Sequence, residues 1–270
     1  MTKYVIIMTP MPELFDSHCH LDFPEFDQDR NKTLEQCWLS GVHSICIPAT
    51  EARYWPRVLK QAHSVPDSVR LYAALGLHPY FLKSHKPHHL DELKVFLTRH
   101  SETVCAVGEI GLDYSLTDSN RDEQHFYFVR QLELADRFKL PVILHCRKAH
   151  DEILKQIRQI KLERGGIVHA FSGSEQQARQ YIELGFKLGF GGTITYERAR
   201  KTRQLATSLP LSSIVLETDA PDMPMSGYQG QRNTPARLPV VLKHLAQLRS
   251  SSVKEIARAT TENALSILGK

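Results

Sequence analysis

The chain has 270 residues, a formal net charge of +4 and 41% hydrophobic residues, which together are typical of a globular protein with a large core. The weak positive charge, without a long basic stripe, argues against a dedicated nucleic-acid-binding module. No stretch approaches the roughly 18 apolar residues that a membrane span needs, and five scattered cysteines without a C-x-x-C pair favour a reducing compartment. We therefore expect a cytoplasmic protein that does not associate with membranes.

The first twelve residues precede any clear structural signal. The apolar stretch YVIIM at 4–8 is too short for the core of a signal peptide. We expect residues 1–12 to form an N-terminal extension without fixed structure, and residues 13–270 to form one domain.

Eight short apolar runs follow in series along the chain. They lie at 14–16, 44–49, 70–76, 104–109, 141–146, 166–171, 186–192 and 213–219. They are continuously apolar rather than alternating, which is typical of parallel strands buried on both faces. Segments with a helical pattern lie between or after them, at 29–42, 121–140, 174–186, 238–250 and 252–269.

Eight β–α units in series predict an α/β fold with a parallel sheet and right-handed crossovers. Two architectures fit this pattern, a closed (β/α)₈ TIM barrel and an open doubly wound sheet. The count of eight favours the barrel, as does the absence of a glycine fingerprint after the first run.

Polar residues stand where the apolar runs end, which is where a barrel of this type carries its catalytic groups. Six of them are candidate metal ligands: His18, His20, Glu109, His145, His169 and Asp219. In strand geometry the first two lie on one face because side chains alternate with period two. Imidazole and carboxylate groups suit zinc, manganese, nickel or iron, and magnesium is a further candidate. Six ligands exceed the need of one tetrahedral ion, so we expect two divalent ions that activate water for hydrolysis.

Each of these residues also has a structural interpretation. A single histidine at a strand end is more often hydrogen-bonded than metal-bound, so the prediction depends on five histidines that coincide at strand ends. We interpret the histidine-rich segment 84–92 as solvated. We interpret a basic cluster as an exposed helix face; its members are Arg198, Arg200, Lys201 and Arg203.

Four more residues are candidates for supporting roles. Glu217 shares a strand face with Asp219 and is a candidate for a buried partner that orients a histidine ligand. Arg147 either binds an anionic group of the substrate or forms a surface ion pair. Asp113 and Tyr114 either line the pocket or cap a turn.

Six motifs together resemble the TatD family of metal-dependent hydrolases. They are DSHCHLD, GLHP, VGEIGLDY, HCRKA, HAFSG and ETDAP, and they occur in this order from residue 16 onward. The stretch PDMPMSGYQGQRNTP is similar to the family's final barrel loop. The chain is most similar to the bacterial YjjV-type branch, and Ala170 stands where many relatives have cysteine.

The resemblance implies an amidohydrolase-type TIM barrel with a two-metal site. It assigns the first metal to His18, His20 and Asp219 and the second to His145 and His169, with Glu109 as the bridging ligand. Asp219 would also serve as general base, and His78 would contact the substrate or the developing charge. Family members have been assigned deoxyribonuclease activity, often as 3′–5′ exonucleases, and some act on other esters.

Three functions therefore compete. The first is a metal-dependent phosphodiesterase that acts on DNA, as a monomer without an obligate protein partner. The second is a small-molecule ester, lactone or amide hydrolase that uses the same ligands, since a fold does not determine a substrate. The third is a non-catalytic metal-binding protein, which a candidate base beside six ligands argues against.

Overall fold

The computed structural model describes residues 13–63, 69–117 and 120–269. Its strands are Leu14–Asp16 (β1), Val42–Pro48 (β2), Arg70–Leu75 (β3), Val104–Asp113 (β4), Val142–Arg147 (β5), Gly166–Val168 (β6), Phe186–Phe190 (β7) and Ile214–Leu216 (β8). They pair in sequence order, each parallel to the next.

The sheet nearly closes on itself between its first and last strands. The backbone N–H and the hydroxyl of Ser17, just after β1, both donate to the carbonyl oxygen of Leu216 in β8, each at 3.0 Å. These contacts join the two edges of the sheet. The predicted TIM barrel is confirmed, and the open doubly wound sheet is not formed.

The helices of the described ranges surround the barrel. They are Arg30–Leu39 (α1), Trp55–His63 (α2), His88–Arg99 (α3), Arg121–Phe138 (α4), His150–Ile160 (α5), Glu175–Glu183 (α6), Arg200–Ser208 (α7), Leu238–Arg249 (α8) and Val253–Leu268 (α9). The five predicted helical segments correspond to α1, α4, α6, α8 and α9. No helix in these ranges is long and apolar enough to cross a membrane.

The core has two parts that leave one end of the barrel open. The larger part lies between the strands and the surrounding helices. The smaller part includes Phe15, Ile143 and Val215 from the strands and Ala264 and Leu268 from α9. Because α9 packs on this part, it covers one end of the barrel, and the polar residues collect at the other end. All five cysteines are buried and free.

Several strands end earlier than predicted, and this changes how the candidate ligands are presented. His169 and Asp219 were expected within apolar runs, but β6 ends at Val168 and β8 at Leu216. His18 and His20 likewise follow β1; their Nε2 atoms lie 3.3 Å apart as expected, but the strand alternation from which this was predicted does not extend to them. Loops that fold over the barrel axis bring these side chains together. The predicted extension at 1–12 lies outside the described residues.

Candidate metal centre

The first and last strands meet through a buried carboxylate. The Thr218 backbone N–H donates to Asp16 Oδ1 at 2.9 Å, and the Thr218 hydroxyl donates to Asp16 Oδ2 at 2.5 Å. In addition, the Asp219 backbone N–H donates to the His18 carbonyl at 2.9 Å. Burial raises the pKa of Asp16 to about 8, although the hydrogen bonds from Thr218 oppose this shift. These contacts fix two segments about 200 positions apart so that their ligand candidates face each other.

The Glu109 carboxylate lies between two pairs of histidines. Its Oε2 lies 3.1 Å from His18 Nε2 and 3.5 Å from His20 Nε2. Its Oε1 lies 3.2 Å from His78 Nε2 and 3.3 Å from His145 Nδ1. Its two oxygens therefore face candidate metal ligands in two directions, His18 and His20 in one and His145 in the other, as a bridging ligand must.

Asp219 occupies a similar intermediate place. Its Oδ1 lies 3.7 Å from Nε2 of both His18 and His20, and its Oδ2 lies 3.5 Å from His169 Nε2. The His18 and His169 rings stack with centroids 3.7 Å apart. Asp219 has φ 55°, in the left-handed region that aspartate tolerates better than most residues. This backbone turn presents the carboxylate to the barrel axis just after β8.

The charges at the centre favour a bound cation. Burial alone would raise the pKa of Glu109, but His78, His18 and His145 outweigh it and hold the pKa well below its usual value. The same balance of burial against His169 and His18 lowers the pKa of Asp219 to about 2. Burial and the nearby His169 lower the pKa of His18, which leaves a neutral imidazole with a free lone pair. The opposite holds for two other rings: against the effect of burial, Asp113 and Glu109 raise the pKa of His145, and Glu217 and Asp219 raise that of His169, so these rings must release a proton before they bind an ion. Ionised carboxylates together with imidazole nitrogens form a donor set for divalent transition metals.

Three groups of these atoms are compact enough to hold an ion. They are His18, His20 and Glu109; His18, His169 and Asp219; and His78, Glu109 and His145. His145 and His169 fall in different groups, whereas the family resemblance assigns them to one ion. The distribution of ligands between two ions therefore stays a prediction.

His78 differs from the other histidines because its protonation pattern is determined by its neighbours. The Tyr80 backbone N–H donates to His78 Nδ1 at 3.0 Å, so the proton of the neutral ring resides on Nε2, which faces Glu109. Burial lowers the pKa of His78 to about 4, which keeps the ring neutral near pH 7. A ring in this state donates a hydrogen bond to the carboxylate and has no lone pair for a metal.

Two further carboxylates contact the second ring nitrogen of a histidine, the one that points away from the centre. Asp113 Oδ2 lies 3.0 Å from His145 Nε2, and Glu217 Oε1 lies 3.0 Å from His169 Nδ1. Glu217 also accepts a hydrogen bond from the Ala170 N–H at 2.7 Å. A carboxylate behind a histidine fixes the orientation of the ring and raises its basicity. Glu217 thus lies where the sequence analysis expected it.

A cavity of about 620 Å³ opens above the ligand candidates. Arg147 lines it, in agreement with one of the two interpretations of that residue. Asp113 lies beneath the cavity, against His145. Tyr114 is not among the lining residues: its ring packs against the core with the Arg121 guanidinium 4.5 Å from its centroid.

One supporting residue was missed by the sequence analysis. His85 belongs to the segment 84–92 that was interpreted as solvated, but it is buried, and its Nε2 lies 2.9 Å from the His78 carbonyl oxygen. The interpretation was therefore wrong for His85, although His88 is exposed. A 3₁₀ segment over Pro79–Ser84 turns the chain back toward the barrel, and proline directly after His78 was the available signal.

Comparison with known proteins settles the family. The model of the family described as TatD related DNase matches residues 15–269. The chain belongs to the TatD family. The expected class, a hydrolase of this family, is thereby confirmed.

Individual TatD relatives cover nearly the whole chain. The uncharacterized metal-dependent hydrolase YjjV of Escherichia coli K12 is 46% identical over 93% of this chain and 96% of its own length. The crystal structure of E. coli YjjV superposes with a TM-score of 0.91 over 95% of this chain and 98% of the other. The human deoxyribonuclease TATDN3 is 29% identical over 95% of both chains. The predicted similarity to the YjjV-type branch is confirmed.

Proposed function

We propose that this TatD protein is a metal-dependent phosphodiesterase that hydrolyses DNA. The observation that carries the proposal is the position of Glu109, whose two oxygens face separate histidine pairs at 3.1–3.5 Å. Relatives named metal-dependent hydrolase and deoxyribonuclease support the reaction class. We further propose that the protein acts as a monomer in the cytoplasm.

The residues of the centre fit two divalent ions. His18 Nε2 and His20 Nε2 lie only 3.3 Å apart, and a cation shared between them satisfies both lone pairs. Zinc, manganese, magnesium and nickel are all candidates for this mixed donor set. Bound ions would supply a water of lowered pKa and neutralise charge on the phosphoryl oxygens.

The side chains of the centre would accept the proton of the attacking water and hold the ligands in position. Asp219 is ionised at neutral pH and lies at the floor of the cavity, so it is placed to take the proton of the attacking water. The His78 Nε2–H holds Glu109 in position between the two histidine pairs. Asp113 and Glu217 keep the rings of His145 and His169 oriented.

Hydrolysis of a small ester, lactone or amide is the second candidate. The net charge of +4 is weak for an enzyme dedicated to DNA, and a cavity of about 620 Å³ suits a small ligand as well. The same centre serves either reaction, so the substrate must be tested directly.

The deciding experiment uses end-labelled single-stranded DNA with metal-reconstituted protein. We expect stepwise shortening from the 3′ end, abolished by EDTA and by Glu109→Ala. The exposed Glu183→Ala serves as matched control and should cut like the wild type. Intact DNA together with hydrolysis of bis-p-nitrophenyl phosphate would transfer the assignment to a small substrate. Wild-type rates in Glu109→Ala would contradict the metal centre itself.

A further inference from the structure

The cavity above the centre has two chemically different sides. The strand order places the loops after β1 and β3 on one side of the barrel mouth and those after β5, β6 and β7 on the other. The exposed rings lie on the first side, whereas the cations and most of the hydroxyls lie on the second, where Phe171 and Phe190 also line the cavity but are buried. This division carries an inference about how a substrate lies in the cavity.

Three rings form the aromatic side. Phe23, Tyr80 and Phe81 all line the cavity. The Phe23 ring stacks on His20 with centroids 4.7 Å apart, and Phe81 meets His78 edge-on at 5.9 Å. Tyr80 is 64% exposed, which is unusual for a large ring and leaves its face open to a ligand. Flat surfaces beside the centre are therefore available for stacking.

The opposite side carries cations and hydroxyl groups. Arg147, Ser172, Thr193 and Thr202 line the cavity there. The Lys201 ammonium donates to the Ser172 carbonyl at 3.0 Å, which holds its charge at the cavity edge. We call these five residues the cationic corner.

The two cations of the cationic corner differ from other cations of the chain because they have no carboxylate partner. Three arginines elsewhere in the chain are paired with carboxylates: Arg53 with Glu51, Arg57 with Asp27 and Arg232 with Asp29. Within the described ranges no carboxylate lies within ion-pair distance of Arg147 or Lys201. Two uncompensated cations beside hydroxyl donors form a site for an anionic group such as phosphate.

We propose that a single strand of nucleic acid lies across the cavity. Its base stacks on Phe23 and Tyr80, and the phosphate next to the one being cleaved occupies the cationic corner. Stacking platforms combined with backbone cations are the general means of binding single strands without base readout. This inference rests on the proposed phosphodiesterase function and adds a preference for substrates with at least two phosphates.

Binding can be measured apart from turnover. The probe is fluorescein-labelled tetrathymidylate with phosphorothioate linkages, which resist hydrolysis, and anisotropy is followed on manganese-loaded protein at several salt concentrations. For Arg147→Gln and Lys201→Gln we expect at least fivefold weaker binding. The slope of log K against log salt should fall by about 0.7 for each cation removed. Exposed cations elsewhere on the surface provide controls, Lys243→Gln and Arg258→Gln, which should bind like the wild type.

The aromatic side has a different expected signature. Tyr80→Ala should weaken binding by at least fivefold and leave the salt slope unchanged, because the substitution removes a stacking ring and not a cation. Tyr80→Phe retains the ring and should restore the affinity.

Cleavage of unmodified tetrathymidylate by the wild type is measured in parallel. If the strand binds with these signatures but is not cleaved, the inference stands and the proposed reaction fails. If the strand is cleaved but the Arg147 and Lys201 variants keep the wild-type affinity and salt slope, the inference is overturned. Absence of binding by the wild type, or equal losses in the control variants, would overturn it as well.

Discussion

Glu217 offers a sensitive test of how the centre is held. Its Oε1 lies 3.0 Å from His169 Nδ1 and 2.7 Å from the Ala170 nitrogen, and the side chain is 1% exposed. Glu217→Gln keeps an oxygen that can accept from Ala170, so the fold should survive. The substitution removes the negative charge behind the ring of His169.

The expected loss of metal affinity follows from the contact between Glu217 and His169. Loss of a carboxylate behind a metal-binding histidine typically costs 10- to 100-fold in metal affinity, which corresponds to about 1.4–2.7 kcal/mol. We expect this loss for Mn²⁺ in calorimetric titrations of Glu217→Gln, with a similar fall in kcat/KM on bis-p-nitrophenyl phosphate. Glu217→Ala should also lower stability, because the Ala170 N–H loses its buried acceptor.

A control variant separates the effect of the charge behind His169 from a general effect of a Glu→Gln substitution. Glu183→Gln makes the same chemical change on the exposed face of α6 and should leave metal affinity unchanged. The reasoning would be refuted if Glu217→Gln bound Mn²⁺ within twofold of the wild type while its melting temperature was also unchanged.

Three further predictions concern separate features. His78→Gln should lower kcat by about 10- to 100-fold but reduce Mn²⁺ affinity much less than His145→Gln does, because His78 donates a hydrogen bond to Glu109 and does not ligate an ion. Equal losses of affinity in titrations of the two variants would contradict this. Gly111→Ala should cost more than 3 kcal/mol in chemical denaturation, because a Cβ there would meet the His145 carbonyl oxygen at 1.9 Å, whereas Gly227→Ala, with φ 89° in open space, should cost about 1 kcal/mol. Burial, with a smaller effect of Lys201, lowers the pKa of His150 to about 4, so the unfolded chain binds a proton that the folded chain rejects. Stability should therefore fall as pH drops from about 6.5 to 4, by about 3 kcal/mol from this residue, and denaturation of His150→Gln should show a shallower decline; an identical pH slope would exclude this contribution.

The repeating architecture was predictable because it depends on local patterns. Parallel strands buried on both faces require continuous apolar runs, and the eight runs stand out from the segments between them. The candidate ligands were found for a similar reason, since chemistry in this fold collects at one end of the strands.

The precise ends of the strands were not predictable. Apolar runs continue past the last ladder hydrogen bond, so the run containing His169 and the one containing Asp219 look longer in the sequence than β6 and β8 are. Positive φ angles at Ala170 and Asp219 turn the chain there; alanine gives no signal of such a turn, and aspartate gives only a weak one. Tertiary context decides these conformations.

Supporting contacts were only partly accessible from the sequence. Glu217 lies behind His169 as expected, although β8 ends at Leu216 and the strand alternation on which that inference rested does not extend to Glu217 and Asp219. The burial of His85 against His78 depends on how the segment after β3 folds back, and a polar, histidine-rich sequence conceals it. The two sides of the cavity likewise combine loops that are far apart in the chain.

The central claim is that six side chains, Glu109 and five around it, hold two ions. The most direct measurement is metal content per chain after equilibrium dialysis against Mn²⁺ or Zn²⁺, determined by elemental analysis for the wild type and Glu109→Ala. We expect two ions per wild-type chain and at most one in the variant, because the bridging carboxylate contacts both histidine pairs. A single ion in the wild type, or two ions retained in Glu109→Ala, would contradict a shared two-metal centre.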